Sequence, residues 1–150
     1  MTSKNLPQAL AFVDAVARRD PDAVTALMAP DGTFIDHAMG QIFKGREQIK
    51  VLASSWFRAF PDQQPADLRT TDAGETVVVQ LTWLGTHAGP LGELPATGGR
   101  MALPACNVFR FDPRGELREV ECYYCGARLL SQLGQSAPPV SHPARSGSQS

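Results

Sequence analysis

Residues 75–89 read ETVVVQLTWLGTHAG, and their polarity repeats every second residue. Val77, Val79, Leu81, Trp83, Gly85 and His87 fall on one face, while Gln80, Thr82 and Thr86 fall on the other. That is the pattern of a strand buried on one side. Two further long runs follow, RMALPACNVFRF at 100–111 and GELREVECYYC at 115–125, and the DPRG at 112–115 turns the chain between them. Segment 88–98, rich in Gly and Pro, is the expected loop between the first run and the second.

Upstream, the period is helical. Leu6, Leu10, Val13 and Val16 recur at steps of three and four through residues 5–19, which predicts an amphipathic helix. Asp20 is placed to cap a second helix with Pro21 in its first turn, and Val24, Leu27 and Met28 form its apolar face up to Pro30. After a turn at Asp31-Gly32, the stretch DGTFIDHAMG contains a short β-favouring run that ends by Gly40. Ile49, Leu52, Trp56 and Phe60 then mark a third helix over 46–60, stopped by Pro61. Helices first and an antiparallel meander afterwards predict an α+β fold, with helices packed on one face of a curved sheet.

A chain of 150 residues suits one domain, expected over 1–134. The tail QSAPPVSHPARSGSQS, 135–150, has almost nothing to bury and is expected to be disordered, which sets His142 aside. A net charge of -1 argues against nucleic acid as a partner. No segment approaches the ~18 apolar residues of a membrane span, and Asp14, Arg18 and Arg19 interrupt the N-terminal run before any export signal forms. A cytoplasmic protein is expected, with Cys106, Cys122 and Cys125 as reduced thiols.

The stretch ECYYC at 121–125 raises the question of a metal or redox pair. On a strand, side chains three apart point to opposite faces, so Cys122 and Cys125 cannot share one ion there. No second Cys or His pair stands at zinc-ligand spacing, so no metal is expected. By the same parity Leu117, Glu119, Glu121, Tyr123 and Cys125 should share a face.

FRAFPD at 57–62, LTWLGTHAGPLGELPATGGRM at 81–101, VFRFDPRGELREVE at 108–121 and LLSQLG at 129–134, taken in order, resemble the SnoaL-like polyketide cyclases. These belong to the nuclear-transport-factor-2-like superfamily, and the similarity runs from about Leu6 to Gly134. The resemblance implies a cone-shaped α+β roll, in which a strongly curved, mostly antiparallel sheet wraps the N-terminal helices around an apolar pocket. It also implies a homodimer, and an intramolecular aldol ring closure without metal or cofactor. The superfamily includes ketosteroid isomerases, epoxide hydrolases and plain binding modules, and fold alone does not choose among them.

The cyclases commonly carry an aspartate ahead of LLxQLG, and YYCGARLLSQLG places Cys125 at that position. A carboxyl group, Glu121, stands further up the same strand. The expectation is a pocket wall presenting Glu121, Tyr123 and Cys125, with Cys122 and Tyr124 turned away. TFIDHAMG resembles the ketosteroid isomerase segment whose aspartate is the general base, and Asp36 occupies that place on the face of Phe34, with His37 opposite. Asn107, just before FRF, matches the isomerases' donor to the substrate oxygen, while their donor tyrosine is matched by Phe12. A carboxamide donates to an enolate without changing charge. His87, with an unperturbed pKa near ~6.5, suits a proton relay. Phe34, Trp56, Phe60, Trp83 and Phe109 are expected to shape the pocket beside Tyr123 and Cys125.

Each has a plainer reading. Asp36 also fits a turn beside Gly40, Asn107 a strand-edge polar group, and His87 a loop histidine; Glu119 and Glu121 fit a solvated or dimer-facing surface. The expected activity is a cofactor-free cyclase that abstracts a proton next to a carbonyl of an apolar, oxygenated, polyketide-like small molecule. Asp36 or Glu121 would take the proton, and Asn107 and His87 would hold the enolate oxygen. The alternatives are an epoxide-opening enzyme using Asp36 and Glu121 as a pair, and a non-catalytic binding module or oxygenase partner.

Overall fold

The structure, a computed structural model, describes residues 2–135. The tail expected to be disordered lies, beyond Gln135, outside the described residues. The chain runs α1 (Asn5–Ala17), α2 (Pro21–Ala26), β1 (Met28–Asp36), β2 (Gln41–Lys44), α3 (Gly45–Ala59), β3 (Gln64–Asp72), β4 (Thr76–Thr86), β5 (Arg100–Phe111), β6 (Leu117–Tyr124) and α4 (Gly126–Gln132). The six strands form one sheet in the order β2-β1-β6-β5-β4-β3. The result is the curved α+β architecture expected, with helices on the inner face of the sheet. Among the described residues no helix is long and apolar enough to cross a membrane.

The helices seat on the sheet through a few contacts. On α1, Ala9 and Phe12 carry the packing more than Leu10, which stays half-buried. The ring of Phe12 meets that of Phe109 edge-on, with centroids 5.4 Å apart, and so seats α1 against the C-terminal part of β5. Asp20 does cap α2, its Oδ1 accepting from the Ala23 N–H at 3.1 Å, with Pro21 in the first turn. That helix is shorter than its sequence suggests, because Met28, expected on its apolar face, already begins β1. On α3, Ile49, Ala53 and Phe57 face the core.

Three features of the sheet depart from a simple meander. The first is that β1 pairs with β6 in parallel, so the helical half of the chain contributes an inner strand. The second is that β2 and β3, neither expected, form the two edges. Both are largely exposed, so neither shows the apolar alternation that reveals a strand. The third is a bulge: Arg110 pairs with Glu119 but Phe111 pairs with Leu117, which leaves Arg118 as an extra residue. A bulge shifts strand parity by one, so Leu117 points inward below it, whereas Val120, Cys122 and Tyr124 point inward above it.

Two straps close the end of α3. Gln63 is fully buried; its Nε2 donates to the Val16 carbonyl at 3.0 Å and its Oε1 accepts from the Trp56 indole at 2.6 Å. One side chain thereby ties α1 to α3 at the start of β3. The loop after β4 then folds back, with the N–H groups of Ala88 and Gly89 both donating to the Ala59 carbonyl. Gly89 has ordinary backbone angles, but a methyl group there would run into the Arg58 carbonyl. Gly89→Ala should therefore lower stability by about 2–3 kcal/mol through overpacking, read as a drop in the urea midpoint at unchanged m. An unchanged midpoint would mean the loop does not depend on its seat against Arg58.

Candidate active site

The bulge at Arg118 and the parallel β1–β6 ladder together decide which side chains meet inside the sheet. Across the inner face Asp36 pairs with Cys122, and Cys122 with Asn107, giving a row of three polar groups on β1, β6 and β5. Tyr124 stands one inward step further along β6. These four groups lie on one wall of a partly open cavity of about 110 Å³. The facing wall is apolar: Phe12, Val13 and Val16 from α1, Val24 from α2, and Ile49, Leu52, Ala53 and Phe57 from α3. Phe34, Trp56, Trp83 and Leu103 complete it.

The Asp36 carboxyl is only 7% exposed and is held from two sides. Its Oδ2 accepts from the Tyr124 hydroxyl at 2.9 Å and its Oδ1 from the Met39 N–H at 3.0 Å. The tight turn after β1 supplies the second donor. Burial, the Asp36 charge and that hydrogen bond all push the Tyr124 phenol up, so it remains a proton donor. Burial, with smaller contributions from Asp36 and Cys106, pushes the Cys122 thiol up to about 12, which leaves it a neutral wall group rather than a nucleophile. Asn107 is 9% exposed, and no described residue bonds its carboxamide. An uncommitted amide on an apolar cavity is free for a ligand oxygen.

Several expected positions are corrected. Glu121, Tyr123 and Cys125 do not face the cavity; Cys122 and Tyr124, expected to turn away, are its wall. Parity counted from Leu117 fails because Arg118 adds a residue. Glu121 instead shares the outer face with Ile35, where Arg110 Nη2 reaches it at 3.2 Å and His37 Nε2 lies 3.4 Å away. Burial pulls the Glu121 carboxyl up, but the hydrogen bonds and charges of Arg110 and His37 outweigh it and hold the group low. Tyr123 stacks on His37 with ring centroids 4.3 Å apart. Cys125 is exposed at the start of α4, beside Tyr123 and Cys106 in a shallow outer groove. With Asp36 on the inner face of the sheet and Glu121 on the outer, these two carboxylates do not form the pair expected for epoxide opening.

Phe60, Phe109 and His87 are buried but stand behind the cavity wall rather than on it. Phe60 contacts both Trp56 and His87, at centroid distances of 4.6 and 5.5 Å. His87 Nδ1 accepts from the Thr97 N–H at 3.2 Å and lies 2.8 Å from its hydroxyl, which fastens the loop; Nε2 has no partner among the described residues. The residues that sequence reasoning missed as wall groups are Cys122 and Tyr124, whose inward facing follows from the bulge. Among the described residues no group of three or more His, Cys, Asp or Glu is arranged to hold a metal ion.

The sequence profile of the SnoaL-like domain matches residues 9–120. This chain belongs to the SnoaL-like family. A proposed SnoaL-like polyketide cyclase from Jannaschia sp. CCS1 is 25% identical, covers 90% of this chain and 93% of its own, and superposes with a TM-score of 0.79. A ketosteroid isomerase-like protein from Catenulispora acidiphila, solved with trimethylamine, is 24% identical over 93% of this chain and all of its own, TM-score 0.74. A proposed polyketide cyclase from Xanthomonas campestris is 23% identical over 86% of this chain and 96% of its own, TM-score 0.76. The latter two likenesses carry the fold alone. No curated protein shows a significant match.

His87 makes this SnoaL-like domain sensitive to acid. Burial, outweighing the backbone of Gly89, depresses its pKa, so the folded imidazole stays neutral where the unfolded one, near ~6.5, takes a proton. The unfolded chain then binds more protons, and the contribution of His87 is complete above that pH and is lost as pH falls from it through the lower folded value. In urea unfolding at pH 7.5 and 5.5, His87→Gln should show a smaller loss on acidification than the wild type. Equal losses would place the acid sensitivity elsewhere.

Proposed function

We propose that this SnoaL-like domain is a cofactor-free cyclase that removes a proton next to a carbonyl of a polyketide-like small molecule and closes a ring. The observation that carries the reading is the buried Asp36 carboxylate, aligned by two donors, in one row with an uncommitted Asn107 amide. Asp36 takes the proton, and the C–H electron pair moves onto the carbonyl oxygen as an enolate. Asn107 donates to that oxygen. The enolate carbon then attacks a second carbonyl, forming the C–C bond, and the resulting alkoxide recovers the proton from Asp36. No atom is lost.

The Tyr124 hydroxyl and the Met39 N–H fix the carboxylate so that its remaining lone pairs face the cavity. Asp36, the carboxylate on the cavity, carries the role first divided between it and Glu121. The homodimer implied by family resemblance belongs to the same reading. Its interface would be the outer sheet face, where Leu84 and Tyr123 are each 41% exposed. Tyr123→Glu should then shift the sedimentation coefficient from dimer to monomer.

Deuterium uptake into a panel of 1,3-dicarbonyl compounds in heavy water, followed by mass, tests the chemistry. Asp36→Asn should lower the rate by about 10²–10⁴-fold. Asn107→Leu should lower it by about 10²–10³-fold, as expected for loss of one donor to the enolate. A wild type that binds these compounds without accelerating exchange makes the cavity a binding site and ends the proton-transfer reading.

A further inference from the structure

Both tryptophans of the chain line the cavity, and their indole N–H groups differ. Trp56 Nε1 donates to Gln63 Oε1 at 2.6 Å, so that donor is committed to holding the wall together. No described residue accepts from the N–H of Trp83, a residue only 8% exposed. A buried indole ordinarily finds an acceptor for its one donor. The Trp83 N–H is not sealed in the core either, because the fully enclosed unpaired side-chain atoms among the described residues are Asn5 Oδ1 and His87 Nε2. Trp83 stands on the inner face of β4, and the opening on that face is the cavity.

The sheet register sets how far this donor lies from Asp36 and Asn107. Asn107 pairs with Val79 and Leu103 with Trp83, so Trp83 sits two inward steps from the row of Asp36, Cys122 and Asn107. Four residues of strand span ~14 Å, at ~3.4 Å each. Between the two ends Tyr124 turns its hydroxyl back to Asp36, and Ala105 and Leu103 present hydrocarbon. The wall thus carries Asp36 and Asn107 at one end, an apolar stretch, and a lone N–H donor at the other. The partial opening of the cavity leaves a ligand room to reach along this wall.

We infer that Trp83 is a specificity-determining residue: its indole N–H binds a second oxygen of the substrate, separated by an apolar segment from the carbonyl that reacts. The indole donates without carrying charge, which suits a neutral acceptor. A substrate with hydrocarbon in place of that oxygen would leave the donor unpaired in the complex, and an unpaired buried donor discriminates more strongly than a lost apolar contact. Which carbonyl reacts rests on the proton-transfer reading above; the second contact rests on the unpaired indole.

Two 1,3-dicarbonyl chains of matched length test it. N,N-Dimethyl-6,8-dioxononanamide carries an amide oxygen remote from its dicarbonyl, and 10-methylundecane-2,4-dione has hydrocarbon in place of that amide. Calorimetric titration of each into wild type and Trp83→Phe gives a cycle in which the difference in hydrophobicity between the chains cancels. Trp83→Phe should weaken the amide relative to the hydrocarbon chain by about fivefold or more, as expected for loss of a buried hydrogen bond. A purely structural Trp83 would weaken both alike. An unshifted ratio, or no binding of either chain to the wild type at millimolar concentration, overturns the assignment. If Trp83→Phe does not fold, ¹⁵N-labelled wild type decides, since it has two indole N–H signals and that of Trp56, held by Gln63, is the internal reference. The amide should move the Trp83 signal downfield and the hydrocarbon chain should not; equal movement overturns the assignment. In deuterium exchange, the extra loss of the amide in Trp83→Phe should appear in KM. A fall in kcat shared equally by both chains makes Trp83 a donor at the reacting carbonyl and overturns the assignment. A shifted binding ratio without exchange supports this role of Trp83 while ending the proton-transfer reading. Exchange with an unshifted ratio does the reverse.

Discussion

The single extra residue at Arg118 is the constraint on which the site depends. Below it β6 turns Leu117 into the core; above it the inward set becomes Val120, Cys122 and Tyr124. Without the bulge the same strand would aim Glu119, Glu121 and Tyr123 at the helices, burying two carboxylates against hydrocarbon. With it, those groups find Arg110 and His37 on the outside, and the Tyr124 phenol arrives at Asp36. Gly32 makes room on the neighbouring strand: a side chain there would press on Met28, the Ala29 carbonyl and the Arg118 carbonyl. The irregular stretch of β1 and the bulge of β6 are thus fitted to one another.

The two faces of β6 consequently differ in chemistry. Outside, charged and aromatic groups pair with one another in reach of solvent, where such pairs contribute little to stability. Inside, the polar groups stand together facing a hydrocarbon wall, and Asp36 is bonded by both Tyr124 and Met39. The Cys122 thiol and the Tyr124 phenol both keep their protons there. Asp36 and Asn107 complete the polar row on that face.

The helices supply the other half of the enclosure through contacts that are mostly apolar, with one polar exception. Gln63 satisfies its buried amide on Trp56 and on the end of α1, so the cavity's largest aromatic wall is held by hydrogen bonds rather than by packing alone. His87 and Thr97 perform a similar task for the loop behind Phe60. These buried polar ties carry no periodic signature. A Gln in the Pro-Asp-Gln-Gln-Pro run at 61–65 and a His at a strand end look, in sequence, like ordinary loop residues.

Periodicity was enough to read α1, α3, β4 and β5 and the α+β class from the sequence by itself, because each buries one continuous face and repeats at 3.6 or 2 residues; β6 was legible as a strand but not in its facing. Chemistry was legible where resemblance and local parity agreed: Asp36 and Phe34 lie on the inner face together beyond the irregular stretch of β1, and Asn107, singled out by the isomerase resemblance, faces inward on β5. The edge strands β2 and β3 escaped because they bury almost nothing, and α4 because seven residues span too few turns to show a stripe. Only the tertiary structure decided which face of β6 is the wall. A side-chain period of two carries no memory across a bulge, and whether a strand has one depends on its partners' register. Glu121 and Tyr124 exchanged places between reading and structure for that reason alone.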